Sequence, residues 1–275
     1  MVSPYLLFLA VFVAFPVLFC FFLTFHKWNI ISPMTFIGVD NYNRLLHDRL
    51  FWKSIGNTLK FLMLHIPLQL VVSLGLAYLL DQKLKAVAFF RACFFMPVII
   101  SGVVVTIMWQ QLLGNDFGMI NRVLQFFGMH KVGWLVDPDV AIYSIALMAT
   151  WKNLGLYVIL FLVGLQTVPQ QYYEAARMEG ATKWQQFYHI TLPILNPTIF
   201  MVVILSTIGG FSLFIEPYVM TGGGPLNTTL SAVLYIYKQA FEYYNMGYSS
   251  TLGFVFAFLI MTVVVIQKKL IEKEI

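Results

Sequence analysis

Long apolar stretches alternate with short polar segments along the whole chain. Crossing about 30 Å of hydrocarbon takes roughly 20 predominantly apolar residues. Six stretches reach that length, at about 4–25, 56–80, 92–113, 140–166, 197–216 and 248–267, and each predicts a transmembrane helix. The first, Pro4 to Phe25, has no positively charged segment ahead of it and no small-residue cleavage site behind it. Its apolar core is also longer than a secretory signal's, so it reads as a retained span. The chain starts abruptly, three residues before Pro4, as expected if a native cytoplasmic tail is missing.

An even number of spans puts both termini on one side. Lys and Arg in short loops set that side. With the termini inside, the inner segments 81–91, 169–196 and 268–275 hold Lys83, Lys85, Arg91, Arg177, Lys183, Lys268, Lys269 and Lys273. The outer segments hold Lys27, Arg44, Arg49, Lys53, Arg122, Lys131 and Lys238 in nearly twice the length. Charge density therefore favours cytoplasmic termini. No repeat, Gly/Ser linker or low-complexity tract divides the sequence, so residues 1–275 read as a single all-α transmembrane domain.

Composition agrees with the pattern. Hydrophobic residues make up 60% of the chain and charged residues 11%, against about 25% charged in soluble domains. The mean hydropathy is +0.80, so membrane lipid is the expected surrounding. The net charge of +5 is spread over the loops without a basic run, which argues against nucleic acid as a partner. Cys20 and Cys93 lie inside apolar stretches, which speaks against a disulfide framework or a zinc site. His26, His47, His65, His130 and His189 are scattered without metal-ligand spacing and read as loop or interface residues. No G-x-x-x-x-G-K-[ST] occurs, and Gly222-Gly223-Gly224 runs into Pro225 rather than a phosphate cradle. The chain is thus read as no enzyme, with no cofactor of its own. Trp28, Trp52, Trp109, Trp134, Tyr218, Tyr243 and Tyr244 gather near predicted span ends, as an interfacial belt would.

One inner segment breaks the apolar rhythm: "EAARMEGATKWQQFYHITLP", Glu174 to Pro193. Pro169 suits a first helical position, Gln170 to Glu179 contains no breaker, and Gly180 suits a left-handed stop. Thr182-Lys-Trp-Gln185 has the capping-box pattern that restarts a helix. Leu192-Pro193 and Asn196-Pro197 are expected to end it and feed the next span. Tyr172, Ala175, Ala176 and Glu179 share one face of the first helix, and the two alanines make it flat. From these residues alone, an amphipathic connector on the membrane surface and a plug for a groove in another protein stand on equal terms.

Ionisable and polar groups inside spans are expensive and point to function. Lys152 and Asn153 sit midway along the fourth stretch. At 1.5 Å per residue Asn153 lies about 18 Å and Tyr157 about 12 Å above the inner boundary, near the depth where transporters place substrate. Ser206, Gly209, Gly210 and Ser212 share that depth in the fifth stretch. Paired glycines open room or allow close helix packing. Asn153 is a substrate contact or an interhelical hydrogen bond, and Lys152 snorkels or pairs with Glu216.

The spacing Glu174-Ala175-Ala176, Gly180, Ile190, Leu192-Pro193 resembles in full the "EAA" loop of permease subunits in binding-protein-dependent ABC importers. "FIGVDNYNRLL" (Phe36 to Leu46), "FWKSIGNT" (Phe51 to Thr58) and "EPYVMTGGGPLNTT" (Glu216 to Thr229) resemble outer loops of the carbohydrate-uptake branch, in particular its maltose-permease-like first subunits. The resemblance covers nearly the whole chain from Phe36. It implies a type I importer permease fold, with six transmembrane helices, in the prokaryotic cytoplasmic membrane. It also implies a second homologous permease, two ATPase subunits that bind the ATP and Mg, and an extracytoplasmic sugar-binding protein. Residues 169–196 become the coupling loop, carried by Glu174, Ala175, Ala176, Gly180, Leu192 and Pro193. The implied sugar site, aligned between the EAA and GGP landmarks, falls at Asn153, Leu156, Tyr157, Ser206, Gly209, Gly210 and Leu213. Glycines and leucines stand there where asparagine or aromatic residues are expected. Tyr157, Phe211 and Phe214 are the candidate stacking rings for a neutral sugar. Glycerol phosphate or a phosphodiester is the rival substrate and calls for clustered cations, where only Lys152 is available. A stand-alone secondary transporter or channel would need carboxylates inside the spans. A membrane enzyme would need an acid–base or metal constellation.

Overall fold

The structure, a computed structural model, describes residues 3–81 and 87–271. Lys83, Lys85 and Lys273, used above for orientation, lie outside the described residues. Helices dominate, as hydrocarbon demands: backbone N–H and C=O groups find no water there and must pair within each segment. The first helix, α1 (Ser3–Leu23), carries a π turn at Ala10–Ala14. A small antiparallel hairpin of β1 (His26–Lys27) and β2 (Thr35–Phe36) follows. Next come α2 (Asp40–His47), α3 (Arg49–Asp81), α4 (Val87–Ile99), α5 (Gly102–Leu112), α6 (Met119–Phe126) and α7 (Ala141–Gln166). The connector is α8 (Gln170–Met178) and α9 (Lys183–Ile194). The chain ends with α10 (Asn196–Phe211), α11 (Ile215–Met220), α12 (Ala232–Tyr237) and α13 (Met246–Ile271).

Helices α1, α3, α7 and α13 are each long and apolar enough to cross a membrane, and the bent pairs α4–α5 and α9–α10 raise the number to six if each pair is one span. Four predicted spans match single helices. Helix α3 begins well ahead of position 56 because Asp48 caps it: Oδ1 accepts from the N–H groups of Leu50 and Phe51 at 3.0 and 3.1 Å.

The other two spans need correction. The stretch 92–113 is two helices meeting at 99°. Pro97 removes a donor from the last turns of α4, and Ser101 is extended (φ −49°, ψ 127°) before α5 starts. The stretch 197–216 stops being helical at Phe211. Ser212 N–H turns onto the carbonyls of Ile208 and Gly209, Phe214 leaves helical geometry, and α11 starts again at Ile215. Nor does α9 end at Leu192. It passes through Pro193, with a widened π turn at Phe187–Thr191 just before the proline, and bends by 66° into α10.

Helix α3 pairs with α7 along much of its length, α4 lies on α7, α10 crosses α3, and α13 packs against α1 and α12. Gly155 lets α4 approach α7, since a Cβ there would run into the Phe94 carbonyl. Two apolar clusters result. One, at the hairpin end, joins Leu45, Phe51, Phe61, Ile145, Met148, Phe211 and Leu252. The other, at the connector end, joins Ala77, Leu80, Leu154, Val158, Phe161, Leu165 and Leu195. Trp109 and Trp134 pack against the first cluster, and Trp134 Nε1 donates to Asn121 Oδ1 at 3.0 Å. Both indoles are half-buried.

Candidate functional site

Between the two clusters lies a layer of polar side chains. His65, Gln69 and Ser73 follow one another at four-residue spacing on α3, and each is buried. Thr150 stands opposite on α7, and Ser206 and Thr207 on α10. A cavity of about 360 Å³ opens in this layer. Its walls are Phe61 and His65 from α3, Lys152, Asn153, Leu156 and Tyr157 from α7, and Leu205, Ser206, Gly209 and Gly210 from α10. Leu213, Ile215 and Glu216, beyond the break after α10, complete it. All seven residues selected from the sequence as sugar contacts therefore face one space.

Their local roles differ. A Cβ on Gly210 would collide with Leu62, so this glycine serves close packing, whereas a Cβ on Gly209 would meet nothing within 4 Å. Asn153 Nδ2 donates to the Ala149 carbonyl of its own helix at 3.0 Å and makes no interhelical hydrogen bond among the described residues. Ser206 Oγ is buried, and both amide atoms of Gln69 are buried without a hydrogen-bond partner among the described residues. Such groups are rare because burying an unpaired polar atom costs about 1–3 kcal/mol. Phe211 is buried against Phe256, and Phe214 stacks on Tyr218 with centroids 5.3 Å apart. Neither turns a ring to the cavity; Tyr157 and Phe61 do.

Lys152 does not snorkel. Beyond the break at Ser212–Phe214, α11 places Glu216 Oε1 2.8 Å from Lys152 Nζ, with only 19% and 9% of the two side chains exposed. His65 is the residue that sequence reasoning undervalued. It sits at an interface as expected, Nδ1 2.8 Å from Thr150 Oγ1, but it also lines the cavity. The four-residue spacing of His65, Gln69 and Ser73 in an apolar stretch was the signal available for it.

The second constellation is the connector. Helix α8 starts after Pro169, which occupies the N-cap rather than the first helical position. It closes with Gly180 at φ +83°: Gly180 N–H bonds the Arg177 carbonyl at 3.0 Å and Ala181 N–H the Ala176 carbonyl at 2.9 Å. That is the paired hydrogen bonding of a Schellman stop, which favours glycine at this position. Thr182 and Gln185 form the full capping box. Tyr173 Oη and Thr191 Oγ1, 2.8 Å apart, tie α8 to α9. Glu174 and Ala175 are exposed and Ala176 half-buried, and Glu174 forms no ion pair among the described residues. Shallow grooves of about 420 and 470 Å³ flank α8, lined by Ala176, Glu179, His189 and Ile190 among others. Leu192 and Pro193 line neither groove; they lie in the part of α9 that leads to the bend.

Broken and unbroken helices long and apolar enough to cross a membrane thus surround a cavity with polar walls and carry a capped helical loop at one end, the make-up of a multi-pass membrane protein. The chain belongs to the family of binding-protein-dependent transport system inner membrane components, which it matches over residues 1–275. It is 36% identical over 271 residues to the probable ABC transporter permease protein YurN of Bacillus subtilis (strain 168), covering 97% of this chain and 92% of that one. It is 34% identical over 248 residues to the trehalose/maltose transport system permease protein MalF of Thermococcus litoralis, covering 90% and 83%. The fold also matches a chain in the crystal structure of a bacterial ABC transporter involved in the import of the acidic polysaccharide alginate. There the TM-score is 0.85 at 21% identity, over 98% of this chain and 93% of that one. The protein is therefore the permease component of an ABC importer, a transport subunit seated in the membrane.

Proposed function

We propose that this chain passes a saccharide across the membrane by alternating access and draws its energy from a cytoplasmic ATPase docked on α8. One observation carries the reading: a series of linked helices joins the connector to the cavity. Helix α8 is tied to α9, α9 runs through one bend into α10, and α10 forms a wall of the cavity with Leu205, Ser206 and Gly209. A displacement imposed at Glu174-Ala175-Ala176 is transmitted to the residues around the substrate. Gly180 sets the exit of the docking helix, and Leu192 and Pro193 lie in the transmitting segment. Asn153, Leu156, Tyr157, Ser206, Gly209, Gly210 and Leu213 are the proposed substrate contacts.

In this reading residues 1–275 form one membrane domain with both termini and the connector in the cytoplasm. The hairpin and the Thr221–Thr229 loop face outward, toward a substrate-binding protein. A second homologous permease completes the pathway, and two ATPase subunits bind ATP and Mg, of which this chain binds none. Trehalose/maltose transport in a relative's name supports a sugar, as does a cavity that mixes apolar walls with hydroxyl and amide groups. A phosphate substrate needs a free cation at the cavity, and Lys152 is already bound to Glu216.

Co-purification from native membranes tests the coupling. Wild type should retain an ATPase and a second permease, and Glu174→Lys should lose the ATPase while inserting normally. Retention of the ATPase by Glu174→Lys, with undiminished transport, would refute the docking role of α8.

A further inference from the structure

Resting on the saccharide reading of this cavity, we propose that Lys152, Glu216 and His65 set its specificity. They present adjacent donors and acceptors to neighbouring hydroxyls of an uncharged sugar, and they turn away an acidic one.

The argument starts from hydrogen counting. Thr150 has one hydroxyl proton, and its oxygen lies 2.8 Å from the Ala146 carbonyl, which can only accept. Toward His65 Nδ1, also 2.8 Å away, the same oxygen must therefore act as acceptor, and Nδ1 carries the ring proton. With the ring only 2% exposed its charged form is disfavoured, and Nε2 of the neutral ring is then an acceptor. Phe61 stacks on the imidazole with centroids 5.1 Å apart and planes 15° off parallel, which fixes its direction. Lys152 spends one N–H on Glu216 Oε1, and Glu216 Oε2 has no hydrogen bond among the described residues. Ser206 Oγ lies buried in the wall contributed by α10.

The cavity wall thus combines donors on Lys152 with acceptors on Glu216 and His65 that no described residue engages, while the ion pair carries no net charge. A sugar hydroxyl both donates and accepts. Of two neighbouring hydroxyls, one can donate to Glu216 Oε2 while the other accepts from Lys152. A carboxylate only accepts, so to reach Lys152 it must confront Glu216, and in a largely buried site like charges repel strongly.

The test is equilibrium binding to the purified transporter complex in lipid nanodiscs, without the substrate-binding protein, so that the membrane subunits' own selectivity is read. The probes are trehalose, lactose, arabinotriose and raffinose as neutral sugars and digalacturonate as the acidic one. Wild type is expected to bind at least one neutral probe and to bind digalacturonate about tenfold or more weakly. Glu216→Gln, which frees the lysine, should shift that ratio toward digalacturonate by about tenfold or more. His65→Phe keeps the stacked ring but lacks Nε2, and should weaken the neutral probe by about tenfold. The double variant Lys152→Met/Glu216→Gln strands no charge and guards against misfolding; it should lose neutral affinity without gaining acidic affinity. Neutral affinity and selectivity unchanged in all three folded variants would overturn the proposal and leave the saccharide reading standing. A wild type that binds none of the neutral probes would overturn both.

Discussion

Asp48 accepts hydrogen bonds from the hydroxyls of Tyr235 and Tyr248 at 2.6 Å each on Oδ2, while Oδ1 caps α3. Arg44 lies 3.9 Å from the centre of the Tyr248 ring beside it. Burial pushes this carboxyl up, but the hydrogen bonds from Tyr235, Tyr248, Phe51 and Leu50 outweigh it and hold it below the usual carboxylate range. The folded value is depressed, so the stabilisation is fully present above the ordinary value of about 3.9. It is lost as pH falls through the folded value. Asp48→Ala should cost about 2–4 kcal/mol near neutrality, from charged hydrogen bonds lost and donors stranded. In thermal unfolding the gap between variant and wild type should close as pH drops below about 4; parallel pH profiles would disprove the account. The polar positions on α7 and α10 were legible in the sequence because depth along a helix can be counted. His65 was not, because its place depends on which neighbour a helix face meets; the Lys152–Glu216 pair was one of two readings, and the break after α10 that lets it form was hidden.

Helices whose ends carry local chemistry were readable: Gly180 and the Thr182–Gln185 box marked the connector to within a residue or two. The bend between α4 and α5 was hidden, because both halves are apolar and hydropathy does not register direction. What holds α4 in place is the bare backbone at Gly155. Gly155→Ala should push the Phe94 carbonyl away and destabilise the chain by about 1–3 kcal/mol. A purified variant that melts at the wild-type temperature would show that α4 does not depend on this approach.

The orientation of the whole molecule can be read by labelling. In a background lacking Cys20 and Cys93, Asn29→Cys should react with an impermeant maleimide in intact cells, and Trp184→Cys only after permeabilisation. The reverse pattern would invert the topology and remove the ATPase from α8. Both helix breaks, at Ser101 and at Ser212–Phe214, lie beside the cavity: Gly102 faces Lys152 and Ile215, and Ser212 and Leu213 line the wall. Irregular backbone at membrane depth is tolerated where protein buries it or where it lines a polar cavity, and both breaks meet that condition here. The connector-end cluster of Leu154, Val158, Phe161 and Leu195 then acts as electrical insulation. A charge at the centre of the membrane costs several kcal/mol, so these apolar side chains oppose the passage of ions through this end of the bundle.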